Sequence, residues 1–184
     1  MNTTAHEIAK QIRQEFFVYR NGLLADNLRE AGDNHRMIFG LTLTQIQDIA
    51  KSIEPNEDVA LELWQSKETR EARLIAPMLY PMEKFTEDMA LQWTSQIENT
   101  EVADNMCHKL LRRTPFASSL CCKLAAGNDL ERYTAMRLAI NLIAIGKNVE
   151  ITKMQELAQS EINSANKVNI SVAKRLIEDL SEIL

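Results

Sequence analysis

The stretch IENTEVADNM, residues 97–106, sets Glu98, Glu101 and Asp104 three residues apart. On a helix that spacing stacks side chains along one side, so the carboxylates form either a solvated face or the setting for one acid that does chemistry. Basic groups gather in three further places: Arg70 with Arg73, Lys109 with Arg112 and Arg113, and Arg132 with Arg137. Such clusters neutralise a run of phosphates when they share a face; otherwise they complement helix C-termini or pair with acids such as Glu62 and Glu68. Cys107, Cys121 and Cys122 are odd in number with no CxxC, and His6, His35 and His108 add no metal-ligand spacing. The thiols read as small reduced core residues, and no metal is expected. The sequence holds no Gly-rich phosphate loop and no GxSxG elbow, which leaves nucleotide hydrolysis and serine-hydrolase chemistry without support. No cofactor of any kind is expected.

These groups must be carried by helices. Apolar residues recur at three- and four-residue steps almost throughout, and no stretch alternates strictly enough for a buried strand. Thr4 with Glu7 forms a capping box before a first helix that could run to about Glu30, with Gly22 as its weak point. A turn follows at GDNHRMIFGL, bracketed by Gly32 and Gly40. Further helices are expected at about 43–53, 56–66, 69–80, 86–97, 99–113, 115–126, 129–145, 151–160 and 166–183. Pro55, Pro81, Pro115, Gly127 and Gly146 punctuate the junctions, whereas Pro77 falls inside a helix and should kink it.

At 184 residues and 45% apolar content the chain is expected to form one domain spanning 1–184, with residues 1–36 as a helical cap and 146–184 closing the stack. No apolar run approaches the roughly 20 residues needed to cross a bilayer, so a cytoplasmic monomer without membrane contact is expected. A net charge of −5 argues against an all-round nucleic-acid-binding surface, yet a basic groove can sit on an acidic body. The segments SKETREARLIAPMLY, IENTEVADNMCHKLL and GNDLERYTAMRLAIN superpose with Glu71, Glu101 and Glu131 thirty residues apart. That period, built of helix pairs, points to an all-α HEAT-like solenoid with a concave groove; a plain helical bundle is the alternative.

Three segments on this framework resemble the DNA alkylation repair glycosylase family of HEAT-like proteins. MIFGLTLTQIQDIAK, 37–51, is similar to its aromatic–Gly–Val segment leading into a helix. LELWQSKETREARLIAPMLY, 61–80, is similar to its Leu-Trp-x-Ser helix pair, and IENTEVADNM lines up with its Asn-Trp-Asp-x-x-Asp element. The resemblance implies excision of cationic N3- or N7-alkylated purines from duplex DNA held in the groove. It implies Asp104 as the catalytic aspartate, because a carboxylate stabilises the positive sugar that develops as the glycosidic bond breaks and can orient water. Under the same resemblance Arg70, Arg73, Arg112, Arg113 and Arg132 would hold phosphates, Arg132 through its likeness to the family's Leu-x-Arg-Thr-Ala segment.

The helical wheel agrees on the border position of Asp104: Val102, Ala103, Met106 and Leu110 form the apolar stripe, and Thr100, Asp104 and His108 line its edge. The sequence departs from the family where members carry a tryptophan four residues before the aspartate; here Thr100 stands instead. That removes an aromatic face worth roughly 0.5–2 kcal/mol to a cationic base. Trp93 is the candidate to approach from another direction, with Thr100 and His108 completing the lesion-side wall. Two other readings keep the fold and drop the chemistry: a DNA-binding relative without excision, and a protein–protein scaffold.

Overall fold

The computed structural model describes residues 4–164 and 166–183. Among them the secondary structure is helical, apart from an isolated bridge between Met37 and Thr69. The chain divides into two compact units, Met1–Lys84 and Phe85–Leu184. The expected cap boundary at residue 36 and the closing segment from 146 lie inside these units. Among the described residues no helix is long and apolar enough to cross a membrane.

The first unit contains α1 (Ala5–Val18), α2 (Gly22–Glu30), α3 (Leu43–Lys51), α4 (Glu57–Gln65) and α5 (Arg70–Leu79). The Thr4–Glu7 capping box is formed as expected. The single helix expected to reach Glu30 is instead two, because Asn21 turns outward, accepts from the Leu24 amide to cap α2, and gives its own amide to the Phe39 carbonyl at 2.8 Å. Gly40 supports that crossing: its φ is +79°, and a Cβ there would lie 2.1 Å from the Asn21 carbonyl oxygen. Only glycine adopts this backbone without strain and allows so close an approach.

α3 and α4 both pack against α5. Every residue of α5 except Met78 is buried, the charged Arg70, Glu71 and Arg73 included. Pro77 lies within α5, and the helix ends two residues later at Leu79. A proline there cannot return an amide to the Arg73 carbonyl one turn earlier; at the helix end the Leu79 carbonyl accepts from the Asn56 amide at 2.9 Å.

The second unit contains α6 (Glu87–Thr94), α7 (Thr100–Lys109), α8 (Ala117–Leu124), α9 (Asp129–Ile143), α10 (Ile151–Ile162) and α11 (Lys167–Ser181). α7, α8 and α11 all pack on α9, and α10 packs on α11. α9 is therefore a central helix, buried at Tyr133, Thr134, Ala135, Met136, Leu138, Ala139, Ile140 and Leu142, as expected of a helix with apolar residues around most of its circumference. Four of the six starts are set by a side-chain cap: Thr86, Asn99, Asn128 and Asn166 accept from backbone amides of the first turns of α6, α7, α9 and α11. Cys107 and Cys121 belong to the core. Burial pushes both thiols up, and Asp104 raises Cys107 further, so neither serves as a nucleophile at neutral pH.

Candidate functional site

Asn99 accepts from the Val102 amide, which fixes Thr100 as the first residue of α7. Val102, Ala103, Met106 and Cys107 then face the core. Asp104 emerges at the border of that stripe, between half-buried Thr100 and exposed His108. Glu98 is exposed and Glu101 is half-buried.

The partner of Asp104 comes from α9. Arg137 donates Nε to Oδ1 at 2.6 Å and Nη2 to Oδ2 at 2.9 Å, a bidentate fork. Tyr133, one turn earlier, donates its hydroxyl to Oδ1 at 2.9 Å. Burial first, and then the carboxylate, push the Tyr133 phenol up to about 12, so its proton stays available for donation. The hydrogen bond to Asp104 raises Arg137 above its usual value. The Asp104 and Arg137 side chains remain 37% and 34% exposed, so the pair sits at the protein surface with one edge open.

The remaining candidates are dispersed by the fold. Arg70 and Arg73 are corrected from phosphate ligands to interior residues, 3% and 0% exposed. Arg70 donates to the Leu41 carbonyl at 3.0 Å and pairs with Glu71 at 3.1 Å, while Arg73 donates to the Trp64 carbonyl at 2.7 Å and lies 3.4 Å over the Trp64 ring. A guanidinium with those partners cannot turn outward without leaving buried acceptors empty. Trp93 is corrected from lesion wall to core: it is 1% exposed and meets Phe85 edge-on at 5.6 Å.

Arg132 is also committed elsewhere. Its Nε donates to Glu161 at 2.7 Å, its Nη1 to the Gly127 carbonyl at 2.6 Å, and its Nη2 to Asp129. It ties α9 to α10. His108 stays at the surface 3.4 Å from Arg112, and desolvation, then Arg112 and Lys109, hold its pKa below the usual value. Arg113 is exposed and Arg112 half-buried on the 3-10 turn Leu111–Arg113 that follows α7. Both keep the surface location that phosphate contact requires.

Sequence reasoning noted Arg137 beside Arg132 as a basic pair but gave a site role to neither Arg137 nor Tyr133. Arg132 and Arg137 are five positions apart, about 140° around a helix at 3.6 residues per turn, so only one of them could face α7. The usable signal was the i, i+4 pairing of Tyr133 with Arg137 on a helix packed against the Asp104 helix. What the cluster can do is limited by its bonding. A carboxylate with both oxygens occupied offers little free negative potential, whereas the Nη1 end of Arg137 is not used by Asp104.

An all-helical chain with this arrangement has the fold of the HEAT-like DNA glycosylase relatives. It is similar to a solved structure from a new family of proteins related to the HEAT-like repeat DNA glycosylases with affinity for branched DNA structures, with TM-score 0.79 over 94% of this chain and 75% of that chain. The two are 17% identical, a likeness that fixes the fold. The chain belongs to the DNA alkylation repair enzyme family, whose sequence profile matches residues 12–171. Comparison with curated proteins gives no match.

Proposed function

We propose that this chain is a DNA-binding member of the alkylation repair family that engages the DNA backbone around α7 and α9, with Asp104 acting to position Arg137. The observation that carries this reading is the bidentate Arg137–Asp104 pair, closed by the Tyr133 hydroxyl. A guanidinium held in this way is pre-oriented, so less freedom is lost when its remaining N–H groups meet a phosphate. The affinity for branched DNA of the structurally similar protein supports DNA as the ligand class, and family membership supports a role in handling alkylated DNA. Affinity for linear or branched duplex should fall steeply with added salt, because each neutralised phosphate releases counterions. Absence of salt-dependent binding to either DNA form would reject the reading.

A second reading is favoured by one observation: the carboxylate of Asp104, which the sequence resemblance implies as the catalytic aspartate, is partly open to solvent. Hydrolysis of the N-glycosidic bond of N3- or N7-alkylated purines would use Asp104 to stabilise the oxocarbenium-like sugar and orient water, with duplex lying in a concave groove. For that the carboxylate must be released from Arg137, since its charge is already compensated. Release of alkylpurines from methylated duplex by the wild type, abolished in Asp104→Asn, would establish excision. Intact glycosidic bonds alongside measurable DNA affinity would leave the first reading.

A further inference from the structure

We propose that the cavity between α9 and α11 is a phosphate subsite, where Arg137, Arg175 and Ser171 hold one backbone phosphodiester beside Asp104. This rests on the DNA-binding reading and gives the C-terminal helix a part in it. The cavity has a volume of about 310 Å³ and is lined by Tyr133, Arg137, Val168, Ser171, Val172 and Arg175. The last four recur at i, i+3, i+4 and i+7, which is one face of α11. Tyr133 and Arg137 are an i, i+4 pair on α9, so two helices bring a guanidinium each to one hollow.

Each guanidinium is steadied by a carboxylate. Arg137 holds Asp104 through Nε and Nη2. Arg175 reaches Asp179 through Nη2 at 2.8 Å, its side chain 62% exposed. Both forks keep N–H groups that these pairings do not use, and planar forks match the oxygens of a phosphate two at a time. Ser171, exposed at the cavity wall, adds a hydroxyl donor. A cationic base placed here would meet two guanidinium groups, which disfavours it. The paired carboxylates Asp104 and Asp179 offset much of the positive charge, so a free anion should bind only weakly. A phosphate on a polymer already held elsewhere, for instance by exposed Lys167 and Lys174 on the same helix, binds at a high effective concentration and gains most from the site.

The test measures affinity for a four-way junction and a linear duplex across a salt series. Subjects are the wild type, Arg175→Gln, Ser171→Asp and a control, Lys51→Gln, in the first unit. Ser171→Asp leaves the Arg175–Asp179 pair intact and puts a carboxylate at the cavity, which guards against a result caused by misfolding. The expected result is a loss of about tenfold for both cavity variants, with the salt slope reduced by about 1 in Arg175→Gln and no change in the control. Wild-type binding with cavity variants indistinguishable from it would overturn the subsite and leave the DNA-binding reading standing. If the wild type binds neither DNA, that reading fails, and inorganic phosphate titrated against the arginine Nε–H signals decides the subsite. Saturable millimolar shifts of Arg137 and Arg175, lost in Ser171→Asp, would retain it as a site for free phosphate; flat signals would eliminate it.

Discussion

The two units each contain a carboxylate clasped by arginine on or beside a central helix, and they use it oppositely. On α5, Glu71 is fully buried: its Oε1 accepts from the Gly40 and Leu41 amides at 3.0 and 3.3 Å and its Oε2 from the Phe39 amide at 3.1 Å, while Arg70 pairs at 3.1 Å. That cluster closes the loop before α3 and has no edge left for a ligand. At α9, the Asp104–Arg137 pair has similar groups and bond lengths but stands about one-third exposed. The difference teaches that charge type and spacing do not separate a clasp sealed in the core from one that a ligand can reach. Solvent access does.

The largest expected effect breaks the buried side of this comparison. Glu71→Ala would take the nearer carboxylate from the buried Arg70 guanidinium and the acceptor from three loop amides, a loss of roughly 3–5 kcal/mol. Thermal unfolding should show it as a fall in Tm on the order of 10 °C; a fall of a degree or two would mean the cluster is dispensable. Arg73→Leu comes next. It removes the ring contact and the guanidinium bond to the Trp64 carbonyl, costing about 2–3 kcal/mol by denaturant titration, with DNA affinity per folded molecule unchanged. An affinity loss without destabilisation would restore Arg73 as a ligand.

Arg137→Leu should reverse that pattern. Its half-exposed pair is worth no more than about 1 kcal/mol to stability, yet DNA affinity should drop about tenfold. Equal losses in stability at Arg137 and Glu71 would erase the contrast. The smallest effect is on the alkaline limb. Folding raises the Tyr133 phenol from about 10 in the unfolded chain to about 12, so its contribution is complete below pH 10 and lost as pH rises toward 12. Tyr133→Phe should flatten that part of the stability curve, and ultraviolet difference spectra should show one late-titrating phenol fewer.

Much of the helix framework was legible. The expected starts at 43, 56, 69, 86, 99, 129, 151 and 166 fall within a residue of the observed ones, because caps and prolines act over three or four residues. The split between α1 and α2 was visible only as a weak point at Gly22, since it depends on Asn21 meeting the backbone of Phe39. The position of Asp104 at the edge of its stripe was readable from the wheel. Its partner was not, for the bond spans 33 residues and requires α9 to turn Arg137 rather than Arg132 toward α7.

Sequence by itself thus determined where most helices begin, which of their faces are apolar, and the family to which the chain belongs, all properties carried by near neighbours or by the linear order of residue types. Tertiary structure alone decided which charges went inside. The physical reason is that a buried arginine or glutamate is tolerated only where carbonyls and amides from distant segments meet it. Arg70, Arg73 and Glu71 found such partners in the 37–41 loop and at the end of α4, and Asp104 with Arg137 kept an edge in water.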